Sequence, residues 1–303
     1  MTNSQFRGKK VLLIINPKAG KTKPMSVLSE VLGIFTAAGC KTDALSTRGR
    51  GDATTYVKEY AAKYDLVVCC GGDGTLNEIL NGVMSLKKPL PIGYIPTGTT
   101  NDFASTMGLS LNLEQAARDV LNGRLVPHDI GRFNGDTHFT YIATFGSMAE
   151  VAHITSQKMK NRLGHAAYIL EGSKSFFNMR PYHMTLEFEG KVAEGDFILG
   201  NITNTHAIGG LIHLKDRRVK LDDGVFEILF FRKPKGVKDA ANIARWLLTQ
   251  NENNPIVIYG RAKSVVLTAP EYVSWTLDGE FGGYHKRVEI EACHHAVRFI
   301  VPQ

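Results

Sequence analysis

The chain has 303 residues, of which 43% are hydrophobic and 21% charged, so it can bury a sizeable core and is too apolar for wholesale disorder. Its length admits one large domain or two ordinary ones. The formal charge of +7 favours an anionic surface or ligand, but does not choose among nucleic acid, phospholipid and nucleotide.

Cysteine usage points to a reducing, cytoplasmic setting. Cys40, Cys69, Cys70 and Cys293 form no disulfide framework and lack the spacing of a structural zinc site. Cys69 and Cys70 sit in an apolar run, where a free thiol serves as a small hydrophobe. The run Val11–Ile15 behind Lys9 and Lys10 is too short for a secretory or membrane-spanning segment. No other stretch reaches roughly 18 uninterrupted apolar residues.

In chain order, Val11 to Ile15 reads as a buried strand, followed by a helix carrying Val27, Leu28, Val31, Leu32 and Phe35 on one face. Cys40 to Leu45 reads as a second strand, and Tyr56, Val57 and Tyr60 mark another helix. Leu66 to Cys70 is the next continuous apolar run. A strongly periodic helix follows, with Leu76, Ile79, Leu80, Val83 and Met84 on its buried side and Thr75 with Glu78 as a reciprocal capping box. Pro91 to Ile95 is a strand and Leu113 to Leu121 an amphipathic helix. Alternation of this kind predicts a doubly wound, mostly parallel sheet covered by helices.

Composition changes near Pro127. A hairpin is expected over Ile130 to Phe145, turning at Asn134-Gly135-Asp136. Helical material is expected between Ser147 and Phe177. Strands then read over Tyr182–Phe188, Phe197–Thr203, Val225–Phe231, Ile256–Tyr259, Ser264–Leu267 and Tyr272–Leu277, interrupted by a helix over Gly236–Leu248. The expected organisation is an α/β nucleotide-binding domain over residues 1–127 and a mainly antiparallel β-sandwich substrate domain over 128–291. Local pattern leaves open which domain Ala296 to Val301 completes.

Chemistry concentrates at loops following strands. Gly71-Gly72-Asp73-Gly74-Thr75 leads from an apolar strand into a helix, so backbone N–H groups and the helix N-terminus can receive a phosphate. Asp73 beside a polyphosphate requires a compensating cation such as Mg²⁺. The bland alternative is a tight strand-to-helix turn. A GxGxxG reading from Gly72 needs glycine where Asn77 stands, and a Walker A reading of Gly20-Lys21-Thr22 needs glycine where Ile15 stands. Asn16-Pro17-Lys18-Ala19-Gly20 and Pro96-Thr97-Gly98-Thr99-Thr100-Asn101-Asp102 follow two other strands. In an open α/β sheet, loops at the carboxyl ends of the strands converge on one crevice. There Asn16 and Thr99 can donate to phosphate or ribose, and Asn101 or Asp102 can orient sugar hydroxyls or water.

Taken together, Asn16-Pro17-Lys18-Ala19-Gly20, Gly71-Gly72-Asp73-Gly74-Thr75-Leu76-Asn77-Glu78, Gly98-Thr99-Thr100-Asn101-Asp102-Phe103-Ala104, Leu221-Asp222-Asp223-Gly224-Val225-Phe226 and Leu277-Asp278-Gly279-Glu280 resemble the bacterial diacylglycerol kinase and lipid kinase family. That family is similar to the catalytic region of eukaryotic diacylglycerol and sphingosine kinases. The glycine-rich block alone also resembles NAD kinases and phosphofructokinases. The resemblance implies a two-domain kinase with ATP near the first domain and lipid approaching the interdomain cleft. It places ATP around Asn16, Pro17, Lys18, Ala19, Gly20, Thr47, Gly72, Asp73, Gly74, Thr75, Leu76, Asn77, Glu78 and Thr99. It implies Glu280 as general base, Asp278 in the same reactive loop, and a structural Mg²⁺ held by Asp223 with main-chain oxygens of Lys220 and Val225. It also returns the final residues, 292–303, to the first domain. The stretch Leu211-Ile212-His213-Leu214-Lys215 is more basic than the family pattern.

These readings give an ATP- and Mg²⁺-dependent transfer of the terminal phosphoryl group to a lipid hydroxyl, with diacylglycerol the first acceptor and phosphatidylglycerol or a long-chain amino alcohol behind it. Lys18 or Lys21 would help balance the developing charge. The partners expected are a membrane lipid substrate and a transient anionic membrane surface, with no nucleic acid; a homodimer is left open. Basic residues Lys158, Lys160, Arg162, Lys174, Arg180, Lys215, Arg217 and Arg218 would attract such a surface, and Tyr168, Phe176 and Phe177 either line an apolar entrance or pack in a core. Read locally, Asp278-Gly279-Glu280 is a hairpin turn and Asp222-Asp223-Gly224 a solvated one. His294 and His295 are a weaker metal candidate, since adjacent residues on a regular strand face opposite ways, and with His206 and His213 they read as non-catalytic. Two competing functions remain at this stage: a soluble nucleotide or sugar kinase, and a nucleotide-binding regulatory protein without turnover.

Overall fold

A computed structural model describes residues 6–20, 24–146, 174–205, 207–208, 212–213, 219–251 and 253–303. The helical material expected between Ser147 and Phe177 lies outside these residues, apart from one 3₁₀ turn at Lys174–Phe177. The chain divides into two compact units. One comprises Met1–Ile130, Thr137–Thr140 and Cys293–Gln303; the other comprises Gly131–Asp136 and Tyr141–Ala292.

The first unit is built on β1 (Lys10–Ile15), β2 (Lys41–Ser46), β3 (Leu66–Gly71), β4 (Ile92–Pro96) and the final part of β15 (Glu280–Val301). Their order is β15-β4-β3-β1-β2, and they pair in parallel. Strands β3 and β4 are buried at every position, as is β1 after Lys10, which explains why they read as apolar runs rather than alternations. Edge strand β2 is the exception, with most of its residues exposed.

Helices cover both faces. Helix α1 (Pro24–Ala37) places Val27, Val31 and Phe35 in one core with Ala116, Ala117, Val120 and Leu121 of α5 (Leu113–Asn122), over Val11, Leu13, Val68 and Cys70 of the sheet. Helices α2 (Asp52–Tyr60) and α3 (Asp73–Met84) pack against each other, so closely that a Cβ at Gly82 would lie 2.6 Å from the Val57 side chain. Strand alternation sends Leu12, Ile14, Val67 and Cys69, all 0% exposed, to the face opposite α1 and α5. Both cysteines of β3 are buried thiols; burial pushes Cys70 up to about 12, so neither is a nucleophile at neutral pH.

The second unit is antiparallel. Its strands include β7 (Ile142–Gly146), β8 (Tyr182–Phe188), β9 (Lys191–Thr203), β12 (Phe226–Arg232), β13 (Val257–Ala262), β14 (Ser264–Leu277) and the first part of β15. Strand β9 pairs with β8 through its first half and with β7 through its second; β14 does the same from the other side. With β12 on the other edge of β9 and the first part of β15 on the other edge of β14, β7 and β8 lie end to end between β9 and β14. Strands β12 and β13 extend the sheet outward from β9. Two strands expected over Ser264–Leu267 and Tyr272–Leu277 are one: the ladder skips between Thr268 and Val273, and Pro270 falls inside that irregularity, where its missing N–H costs no ladder bond. Helix α6 (Val237–Thr249) anchors through Trp246, which meets Phe231 edge-on at 5.8 Å and Tyr259 at 5.9 Å.

Strands β5 (Arg124–Phe133) and β6 (Thr137–Phe139) are joined by the expected turn, with Asn134 at φ 46° and Gly135 at φ 95°. A two-residue pair, β10 (Ala207–Ile208) with β11 (Ile212–His213), completes the strands. Among the described residues no helix is long and apolar enough to cross a membrane.

Candidate functional site

Four loops meet the carboxyl ends of parallel strands β1 to β4. Main-chain bonds hold three of them together: Asn16 N–H donates to the Cys70 carbonyl at 2.9 Å, Thr97 N–H to Gly71 at 2.8 Å, and Thr47 N–H to Ile15 at 2.9 Å. The Asn16 side-chain amide donates to Thr75 Oγ at 3.0 Å and its carbonyl oxygen accepts the Lys18 N–H at 3.0 Å, so the first loop is fastened to the start of α3. Ala19 N–H closes the same loop onto the Asn16 carbonyl at 3.1 Å.

The close approach of Gly72 and Gly98 defines the floor of this cluster. A Cβ on Gly98 would stand 2.6 Å from Gly72 Cα and 2.8 Å from Asn101 Oδ1, so no larger residue fits without moving one loop. Backbone thus meets backbone where β3 enters α3, at the N-terminus of the helix. No side chain caps α3 at its N-cap residue Gly72. Its first-turn N–H groups have the orientation and partial positive charge that suit an anion.

Asp73, the first residue of α3, turns its carboxylate toward the β4 loop. Its oxygens accept the N–H of Asp102 at 2.9 Å and of Phe103 at 3.4 Å, and the Tyr94 hydroxyl at 3.4 Å. Asp73 therefore caps the short helix α4 (Asp102–Thr106). Asn101, at φ 53° and buried, closes its own loop by accepting Gly98 N–H at 3.0 Å and donating to Gly98 O at 2.9 Å. Burial holds the Asp102 carboxyl above the usual carboxylate range. Thr99 and Lys18 are exposed; Lys21 lies outside the described residues.

Two residues at α3 do something other than their motif suggested. Glu78 does not form the capping box with Thr75. Its oxygens accept Gly51 N–H at 2.8 Å and Ala53 N–H at 3.2 Å, so it caps α2 from a neighbouring helix. The helix begins at Asp73, which places Thr75 inside the first turn, against Gly71, rather than at its start. Asn77 donates to the His138 carbonyl at 3.1 Å, and Asn81 binds the same carbonyl at 3.0 Å and accepts His138 N–H at 2.8 Å. Asn77 and Asn81 thereby hold β6.

In the second unit, Leu277-Asp278-Gly279-Glu280 is the turn between β14 and β15, with Leu277 paired to Glu280. Asp278 at φ 49° and Gly279 at φ 85° give the two left-handed residues of a type I′ hairpin. The turn separates its carboxylates completely. Asp278 is 3% exposed, accepts the N–H groups of Tyr141 and Ile142 at 3.0 and 3.1 Å, and donates its own N–H to the Ile142 carbonyl at 2.9 Å. Glu280 is exposed.

A separate acidic group surrounds Asp223. One Asp223 oxygen pairs with Arg261, while Oδ1 is buried and has no hydrogen-bond partner among the described residues. Glu227, 0% exposed, has Arg261 Nε 3.3 Å from Oε1, in a geometry that makes no hydrogen bond. Burial pushes Glu227 up to about 7, with Arg261 opposing the rise. Sequence pattern passed over Glu227; the available signal is one carboxylate in the otherwise apolar run Phe226–Phe231. Val225 is half-buried and Lys220 is exposed.

Of the residues proposed to face a membrane, Lys158, Lys160, Arg162, Tyr168, Lys215, Arg217 and Arg218 lie outside the described residues. Arg180 pairs with Glu271 and lies 5.2 Å from the Tyr182 ring centre. Phe176 lines no entrance: it is 0% exposed and stacks on Phe231 at 5.9 Å.

Residues 10–133 match the diacylglycerol kinase catalytic domain model. The chain is 35% identical over 277 residues to a diacylglycerol kinase of Bacillus subtilis, covering 91% of each chain. It is 34% identical over 283 residues to a diacylglycerol kinase of Staphylococcus carnosus, covering 91% of this chain and 90% of the relative. A solved diacylglycerol kinase structure from Bacillus anthracis superposes with a TM-score of 0.74 at 27% identity, over 97% of both chains. With that coverage and this arrangement of glycine loops, the chain belongs to the diacylglycerol kinase family.

Proposed function

We propose that this chain transfers the terminal phosphoryl group of ATP to the free hydroxyl of diacylglycerol, giving ADP and phosphatidic acid. The observation that carries this reading is the Gly72–Gly98 contact, where two loops leave bare backbone donors at the opening of α3 in a diacylglycerol kinase family chain. The phosphates of ATP sit against those donors and against Asn16, whose amide is already oriented by Thr75. Thr47, Gly74, Thr75 and Thr99 complete the nucleotide-facing loops. Asn77 and Glu78 support them from behind, through the bonds to His138 and to the α2 N-terminus.

During transfer the lipid oxygen forms its bond to the terminal phosphorus as the bond to the ADP oxygen breaks. Glu280 accepts the hydroxyl proton, and its exposure on the β14–β15 turn leaves it open to a bound alcohol. Asp278 is a positioning residue that fixes the turn through the Tyr141 and Ile142 N–H groups.

The residues present fit Mg²⁺ at two places. At the first place, the Asp73 carboxylate stands at the start of α3 beside the proposed phosphate position, where it would hold a metal-bound water. Asp223 offers a buried oxygen that has no hydrogen-bond partner among the described residues, and with the carbonyls of Lys220 and Val225 it would give the all-oxygen set that a hard cation prefers. Bound Mg²⁺ supplies charge neutralisation on the phosphates at the first place and loop stability at the second.

The test is a labelled-ATP assay with diacylglycerol vesicles, soluble alcohols and NAD as parallel acceptors, and mass identification of the product. Phosphatidic acid from the vesicles, with no transfer to the others, supports the proposal. Faster transfer to a soluble acceptor overturns it.

A further inference from the structure

The alternation of β15 breaks at its second histidine. His295 has φ 51°, in the left-handed region that histidine adopts more readily than most residues but that is uncommon within a strand. On a regular strand His294 and His295 would project to opposite faces. Here their rings lie together, with centres 3.7 Å apart and planes inclined by 34°. The paired strand β5 brings Asp129 to the same spot: the residue is 0% exposed, and one carboxylate oxygen accepts the His295 N–H at 2.7 Å. One ligand atom from each of Asp129, His294 and His295 lies within 4.8 Å of the other two.

We propose that Asp129, His294 and His295 form a binding site for a divalent metal of the zinc class. Two imidazole nitrogens and one carboxylate oxygen suit a borderline cation, whereas Mg²⁺ prefers oxygen alone. Ligand atoms around tetrahedral zinc stand about 3.3 Å apart, given metal–ligand bonds near 2.0–2.1 Å. Both histidines are exposed, so their side chains can close the remaining distance by rotation while the buried carboxylate stays fixed. Three protein ligands leave the fourth position to water.

All three residues belong to the first unit, and none lies in the loops assigned to phosphate. The site therefore stands or falls independently of the kinase reading. Its occupation would pin the end of β15 to β5 where the strand departs from regular geometry.

The full-length protein, stripped of metal and returned to excess Mg²⁺, is titrated calorimetrically with Zn²⁺, and separately with Co²⁺ while the visible spectrum is recorded. One equivalent should bind, with a nitrogen-ligated cobalt band and a rise in Tm. His294→Ala and His295→Ala, being exposed-side-chain changes, should each keep the fold and lose about tenfold or more in Zn²⁺ affinity. The double variant should lose the Tm rise and the cobalt band. No binding by the wild-type chain, or equal binding by the double variant, overturns the proposal.

Discussion

The carboxylate of Asp73 receives the backbone N–H of Asp102 at 2.9 Å, tying the loop after β3 to the loop after β4. One residue thus performs two tasks that substitution can separate. Asp73→Asn keeps a carbonyl oxygen for the Asp102 N–H but removes the charge assigned to a metal-bound water. Folding should be retained, and turnover should fall by about 100-fold or more. Asp73→Ala should in addition cost ~1 kcal/mol of stability through the lost cap. Denaturant unfolding alongside initial rates checks both; normal turnover in the asparagine variant would remove Asp73 from the proposed chemistry.

The β14–β15 turn offers a sharper contrast. Glu280 is exposed, so Glu280→Gln should leave stability within ~0.5 kcal/mol of wild type while lowering turnover by about 100-fold or more. Asp278 is buried with two N–H donors, so Asp278→Ala should lose ~2 kcal/mol or more by leaving them without their acceptor. A kinetic defect without a stability defect at 280, and both at 278, is the expected pattern.

Gly98 tests the loop geometry. A methyl group at this position would lie 2.6 Å from Gly72 Cα, so Gly98→Ala should spread the two loops. The KM for ATP should rise by about tenfold or more, with the KM for lipid less affected. An unchanged ATP KM would show that the two backbones need not touch for nucleotide binding.

Glu227 carries a pH signature. Its folded-state value is pushed to about 7 from the ordinary 4.5 by burial, so the folded state binds this proton more tightly than the unfolded one. The associated stability is fully present below about 4.5 and is lost as pH rises through about 7, amounting to at most ~3 kcal/mol. With magnesium chelated, the wild-type chain should lose stability across that window relative to Glu227→Gln. Parallel pH–stability curves for the two proteins would mean that Glu227 does not titrate as its burial implies.

Much of the parallel unit was readable because its strands are buried on both faces. Val11–Ile15 and Leu66–Cys70 are apolar runs for that reason, and the periodicity of Leu76, Ile79, Leu80 and Val83 marked α3. The antiparallel unit was readable as a set of short strands, but not in their order. That β7 and β8 lie end to end between β9 and β14 depends on which strands pair, and no local pattern records a partner. The length of β15 was not foreseen either: only Ala296 to Val301 read as strand, and ladder bonds to β14 keep the charged, glycine-bearing first half extended.

By itself, the sequence determined which segments are apolar, where glycines lead from strand into helix, and which ordered motifs place the chain beside the diacylglycerol kinases. Only the tertiary structure decided what individual polar side chains hold: Glu78 caps a helix other than its own, Asn77 fastens β6, Asp278 is buried while Glu280 two residues away is exposed, and Glu227 sits under Arg261. The reason is physical. Burial and periodicity are properties of neighbours along the chain, whereas a carboxylate or amide chooses its partner among donors brought close from tens of residues away, and that choice exists only once the chain has folded.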